Sequence, residues 1–273
     1  MDYKRVLTVQ DISCLGQCSM TVALPIISAC GQETVVLPSK VLSTHTGGLG
    51  APHTKDLSDE IPGILDHWAG QNFQFDTVYT GYLGSTAAIG HMGRIFGSMV
   101  AEGGKKIVDP AMADHGKLYG GLNVDYATAM WGLCRQADIV IPNVTEAAMI
   151  AGMPYREEYD ERYIFQLVER LNVPCLVLTG VGYTPEETGV LVVEDGSIRY
   201  HSHRKINKRF HGTGDIFASA FVGALTGGKA LYESAVIASE FTKLCIEKTS
   251  ENPAHSYGVK FEPCLGQLME MLK

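Results

Sequence analysis

Short apolar, β-branched runs recur along the chain, and helical stretches separate most of them. Such runs occupy 4–10, 33–38, 75–81, 105–109, 137–142 and 174–180. Runs of this length and composition predict strands covered on both faces. Two further runs, 188–194 and 197–203, flank Asp195-Gly196. An Asp-Gly pair between β-like segments predicts a hairpin. Between the strands the pattern predicts helices over 19–31, 56–70, 85–102, 122–136, 144–151 and 157–172. The last third is mainly helical, over 213–226, 229–249 and 262–272. Alternation of this kind predicts an α/β fold of three layers, a central, mostly parallel sheet with helices on both faces. No Pro/Gly/Ser-rich linker interrupts residues 1–273, so a single domain is expected.

In such sheets ligands bind beyond the carboxyl ends of the strands. Five predicted strands run there into polar or glycine-containing clusters. These are Gln10-Asp11-Ile12-Ser13, Thr80-Gly81-Tyr82-Leu83-Gly84-Ser85, Asp109-Pro110-Ala111-Met112-Ala113-Asp114, Pro142-Asn143-Val144-Thr145-Glu146 and Thr179-Gly180-Val181-Gly182. Each cluster alone could be turn chemistry. Five on one edge point to a site.

The most informative segment is Gly212-Thr213-Gly214-Asp215, which opens a helix of small and apolar residues. A helix buried nearly all round leaves its first amides without partners unless something uses them. Two glycines admit a ligand close to the backbone, and amides at a helix start make an anion hole. The helix dipole favours negative charge there, and we expect it to lower the pKa of Asp215. A carboxylate beside an anion hole suits phosphoryl transfer, where positioning dominates. Read alone, Asp215 is equally a first-turn residue that merely favours the dipole.

Composition narrows the partners. The net charge is −8, a poor match for nucleic acid or an anionic membrane surface. No run of 18 apolar residues occurs, and the N-terminal apolar stretch is too short for a signal sequence. Seven scattered cysteines, at 14, 18, 30, 134, 175, 245 and 264, read as buried thiols of a reducing cytoplasm.

Taken together, these segments resemble the ribokinase-like (PfkB) superfamily, and within it the pyridoxal/pyridoxamine (vitamin B6) kinases. Residues 212–215 resemble the superfamily's GTGD signature. Ser43-Thr44-His45-Thr46-Gly47 resembles the S-N-H-T segment that meets the pyridine substrate, and 80–85 resembles the (S/T)GYLGS turn. Asp109-Pro110-Ala111-Met112 resembles DPVM/DPVL, and Pro142-Asn143 with Glu146 resembles PNxxE. The resemblance covers residues 1–225 and implies an ATP-dependent kinase acting on the 5′-hydroxymethyl group of pyridoxal, pyridoxamine or pyridoxine. It further implies Mg²⁺, often K⁺, and a homodimer. By the same carry-over Asp215 is the base, with Gly212, Thr213 and Gly214 as the anion hole. Asp11, Thr46 and Tyr82 line the ring pocket. Asp109, Asp114 and Glu146 manage Mg²⁺ and the phosphates, with Asn143 beside them. Thr179 and Gly180 touch the nucleotide, as does Thr213, and 204–210 passes near the adenine.

The chain also departs from that pattern. Asp11 stands where the family commonly has Ser, position 44 is Thr where Asn is common, and the loop 113–121 has no cysteine. A carboxylate at 11 could accept from a ring hydroxyl, a protonated ring nitrogen or an amine. It therefore keeps open a kinase of hydroxymethylpyrimidine or another small alcohol. A non-catalytic vitamer-binding protein is a third reading, against which the intact GTGD stands.

Other signals carry less. Residues 223–230 fit G-x-x-x-x-G-K but end in Ala and follow a helix, so they read as a helix end and turn. Gly47-Gly48-Leu49-Gly50 reads as a loop over the substrate or a plain surface turn. His201 and His203 lack further ligands at zinc spacing. His211 reads as a packing or surface histidine or a phosphate contact, and Cys14 and Cys18 as structural, with Cys14 near the pocket. The basic runs at 105–106 and 204–209 read as solvated faces.

Overall fold

The computed structural model describes residues 3–208, 210–252 and 254–273. A nine-stranded sheet runs through the molecule. Its strands are β1 (Arg5–Ser13), β2 (Glu33–Leu42), β3 (Thr54–Asp56), β4 (Phe75–Thr80), β5 (Val100–Val108), β8 (Ile139–Val140), β9 (Cys175–Val181), β10 (Glu187–Glu194) and β11 (Ser197–Arg204). The order is β11-β10-β9-β8-β5-β4-β1-β2-β3. The six strands from β9 to β2 pair in parallel. The edge pairings β2–β3, β9–β10 and β10–β11 are antiparallel. A separate two-stranded ribbon joins β6 (Ala113–Asp114) and β7 (Lys117–Leu118).

Helices cover both faces, as the alternation predicts. On one lie α1 (Met20–Ala29), α7 (Thr213–Thr226), α8 (Leu231–Ser250) and α9 (Leu265–Met271), packed with Val6, Tyr79, Ile107 and Val177. On the other lie α2 (Ile61–Gly70), α3 (Thr86–Ser98), α4 (Val124–Cys134), α5 (Val144–Ile150) and α6 (Glu161–Leu171), against Leu7, Val9, Val78, Leu176 and Leu178. Neighbouring strand residues thus alternate between two cores. Helix α7 is buried from Ile216 to Ala224. Phe221 is fully buried in it, and its truncation to Ala would cost about 3–5 kcal/mol.

Three differences from the sequence pattern concern the periphery. The helix expected over 85–102 stops at Ser98, and strand β5 begins at Val100. The register jumps there, from Phe75↔Val100 to Thr77↔Lys105, so 101–104 bulge out of the sheet. Tertiary pairing overrides the local helical pattern. The helix expected from 56 starts at Ile61, after strand β3 and a 3₁₀ turn over Ser58–Glu60. The loop 113–121 contains the β6–β7 ribbon.

The connection from β1 leads to β2 on one side, while β4 and its successors extend the sheet on the other. The carboxyl ends of β1 and β4 therefore flank a point where the winding reverses, the expected place for a ligand crevice.

Candidate active site

A cavity of about 690 Å³ opens over these strand ends. Asp11, Thr46, Tyr82, Asp109, Asp114, Asn143, Glu146, Thr179, Gly180 and all of 212–215 line it. Every site residue named from the sequence thus lines one space, although together they span more than two hundred positions.

Helix α7 forms one wall. Its N-cap Gly212 sits at φ 83°, ψ 2°, and no side chain caps the helix. A Cβ at Gly212 would lie 2.0 Å from the Gln17 carbonyl oxygen. Glycine is required there both for the left-handed backbone and for this approach. The first-turn amides at 213–215 have no intrahelical acceptor and border the cavity. Asp215 is half-buried in that first turn. Its carboxyl is pushed up to about 7, chiefly by burial, against a backbone hydrogen bond from Ser19 and with Asp11 adding repulsion. The expected downward shift is therefore corrected: loss of hydration outweighs the dipole.

The ends of β1 and β4 are tied together. The Asp11 amide donates to the Tyr82 carbonyl at 3.0 Å, and the Asp11 carboxylate accepts from the Ser13 hydroxyl at 2.9 Å. Asp11 is buried, and burial raises its pKa. Tyr82 is pushed up to about 12 by burial and then by Asp11. The Tyr82 ring lies 6.5 Å from that of Tyr119, so two aromatic faces border the space beside a buried carboxyl. Thr46 is exposed at its rim. The neighbouring His45 is buried, accepts the Gly47 amide on Nδ1 at 3.0 Å, and packs its ring 5.0 Å from His211.

Across the cavity, Asp109 donates its amide to the Thr80 carbonyl and accepts the Ala111 amide on Oδ1. Its pKa is raised well above the ordinary range by burial, then by Glu146 and Asp215. Glu146, the third helical residue of α5, completes a capping box with Asn143. Burial lifts it to about 7 against three amides. Two buried, adjacent carboxyls held above their ordinary range are a site whose repulsion a cation would relieve. Asp114 does not join them, since its exposed side chain faces His115 at 3.4 Å. Among the described residues no group of three or more His, Cys, Asp or Glu side chains could hold a metal ion alone. Mg²⁺ arriving with a nucleotide needs only one or two carboxylates, because phosphates and waters supply the rest. Asp109, with Glu146 beside it, fits that requirement.

Thr179 closes the arc by donating its amide to the Pro142 carbonyl at 2.9 Å. The Gly180 carbonyl accepts from the Tyr159 hydroxyl at 3.2 Å. Several lining residues carry no motif: Cys18, Lys117 and Tyr119, and Thr242, Lys243 and Ile246 from the middle of α8. Cys18 reaches the cavity while Cys14 is exposed, which reverses the expectation for that pair and for a fully buried set of thiols. His203 also lines the cavity, whereas His201 pairs with Glu240 at 3.0 Å. Gly227 ends α7, so the G-x-x-x-x-G-K match is a helix end. Of the stretch 204–210, Phe210 lines the cavity, and Arg209 lies outside the described residues.

Among the described residues no helix is long and apolar enough to cross a membrane. Residues 65–259 match the sequence profile of the phosphomethylpyrimidine kinase family. The fold is similar to the crystal structure of pyridoxal kinase from Lactobacillus plantarum, with a TM-score of 0.90, 29% identity, and 98% and 97% of the two chains covered. The hydroxymethylpyrimidine/phosphomethylpyrimidine kinase of Bacillus subtilis strain 168 is 27% identical over 221 residues, covering 79% of this chain and 77% of that one. The pyridoxine/pyridoxal/pyridoxamine kinase of Bordetella pertussis is 24% identical over 262 residues, covering 90% and 89%. A ligand crevice at the reversal point, a helix start left uncapped and a carboxyl at its first turn agree with these relationships: the chain belongs to the phosphomethylpyrimidine kinase family and is a phosphotransferase that acts on an alcohol group.

Proposed function

We propose that the chain phosphorylates the 5′-hydroxymethyl group of pyridoxal, pyridoxamine or pyridoxine with ATP as donor. The observation that carries this reading is the shared cavity, whose lining brings Asp215 and the first-turn amides of α7 together with Tyr82 and Asp11. Asp215, once deprotonated, orients the hydroxymethyl group and takes its proton as the oxygen attacks the terminal phosphorus, whose bond to the bridging oxygen breaks to release ADP. The amides at 213–215, with Gly212 fixing their direction, receive the charge that spreads over the phosphoryl oxygens. Tyr82 and Tyr119 hold a heteroaromatic ring by its faces, Asp11 reads a donor on the ring edge, and Thr46 borders it. Thr179, Gly180 and Asn143 form the nucleotide side. Mg²⁺ would supply charge neutralisation of the phosphates when bound, and Asp109 is the residue that would hold it, with Glu146 beside it and Asp114 at the rim. A homodimer working in the cytoplasm and the use of K⁺ belong to the same reading.

A second reading rests on Asp11. A buried carboxyl facing the ring pocket suits an exocyclic amine as well as a pyridine hydroxyl, so hydroxymethylpyrimidine is the competing acceptor. The Bacillus relative supports that alternative, and the Lactobacillus structure supports the first. An acceptor panel with ATP and Mg²⁺ decides between them. Phosphorylation of at least one B6 vitamer is expected. Turnover of hydroxymethylpyrimidine alone rejects the vitamer assignment, and vitamer binding without any turnover supports a binding protein instead.

A further inference from the structure

The first turn of α5 is bonded to the loop that follows β5 rather than to the open cavity. Glu146 Oε1 accepts the amides of Met112 at 2.9 Å and Ala113 at 3.3 Å, and Oε2 accepts the Asn143 amide at 2.9 Å. The Asn143 side-chain amide donates to the Ala113 carbonyl at 2.8 Å, and Thr145 Oγ1 accepts the Gly116 amide at 3.2 Å. Residues 112–116 of that loop are therefore fastened by three side chains of one helix start. The loop needs fastening, because Ala111 and His115 sit at positive φ, 35° and 48°, where non-glycine residues are strained.

A carboxylate has about four acceptor positions, and Glu146 spends three on main-chain amides. It is 2% exposed. Asp109 differs. Among the described residues it accepts only the Ala111 amide, on Oδ1, which leaves its second oxygen for a ligand. We infer that Glu146 is a positioning residue, whose carboxylate holds the 109–116 loop and thereby aims Asp109, instead of acting as a ligand of Mg²⁺. The inference rests on the phosphoryl-transfer reading for its consequence, but the loop itself is measurable without turnover.

The test is Glu146→Gln, which keeps the shape and replaces one acceptor by a donor. In the ligand-free protein, amide hydrogen exchange at Met112, Ala113 or Asn143 is expected to accelerate by about tenfold or more, the cost of an unpaired buried amide. Turnover is expected to fall and stay low at saturating Mg²⁺, while the half-saturating free Mg²⁺ stays within about twofold of wild type, because no ligand has been removed. Unchanged exchange overturns the inference. So does a rise in the Mg²⁺ requirement of about tenfold or more with turnover restored at high Mg²⁺. If E146Q does not fold, the wild-type chain decides. Slow exchange at these amides without divalent ion supports the inference, and protection that arises only with Mg²⁺ and ADP overturns it. A wild-type chain that turns over no acceptor counts against the kinase reading and leaves the exchange result to judge Glu146.

Discussion

Asp215 meets two opposing demands. The base role proposed for it needs it ionised, and burial favours the protonated form, raising its pKa to about 7. The rate should therefore rise between about pH 6 and 8, as the base loses its proton. Asp215→Asn should lower kcat by about 10²–10⁴-fold with nucleotide affinity preserved, the usual size of a lost general base. Near-normal kcat in that variant removes Asp215 from the base role. Stability carries the same signature with its own sign. The folded carboxyl binds its proton more tightly than the unfolded one at the ordinary 3.8. The folded state then holds more protons between those values, so its stability declines as pH rises from about 4 to 7. Melting curves of wild type and D215N across that window should diverge toward neutral pH, with the Asn variant the more stable. Parallel curves would mean that the carboxyl is not strained by burial.

Two glycines in the helix-start element make opposite predictions. Gly212 has neither the backbone nor the space for a side chain, so Gly212→Ala should destabilise by roughly 1–3 kcal/mol and impair turnover. Gly214 has open space around a Cβ and faces the cavity. Gly214→Ala should leave the melting temperature within about 2 °C of wild type and raise the nucleotide KM by about tenfold or more by crowding the phosphate. Equal stability losses in both variants would contradict this division. The same elements show how far the chain can be read unaided. The central strands and α7 were legible because burial on two faces leaves continuous apolar runs. The site was legible because the strand ends write polar clusters in order along the chain. Residues from the middle of α8, such as Thr242 and Lys243, were not, since a helix flank carries no local mark of facing a cavity. The border between α3 and β5 was hidden by Gly103-Gly104 and a bulge that only the partner strand explains. The direction of the Asp215 shift was misjudged because desolvation is a property of the assembled pocket, whereas the dipole is visible in the helix alone.

At the scale of the molecule, the charge is −8, and among the described residues the lysines at the cavity are Lys117 and Lys243, the latter paired with Glu240 at 3.1 Å. Among the described residues, protein cations alone therefore poorly balance the nucleotide polyphosphate proposed to bind here. Chelation of divalent ions should abolish turnover by about a hundredfold or more. It should leave the melting temperature within about 2 °C, because among the described residues no cluster of three or more His, Cys, Asp or Glu side chains could hold a structural ion. A large drop in melting temperature on chelation would reveal a resident structural metal instead. The buried course of α7 has a consequence for how the protein can change. The corner proposed to receive the phosphoryl group is moored in the least compressible part of the structure, so it cannot drift without dislodging the packing around Phe221 and Ile216. Adaptation to a new acceptor must fall on the rim, at Asp11, Thr46 and the Tyr82–Tyr119 pair. A library confined to those positions should alter acceptor choice among folded variants, while one spread along the helix should yield mainly insoluble chains.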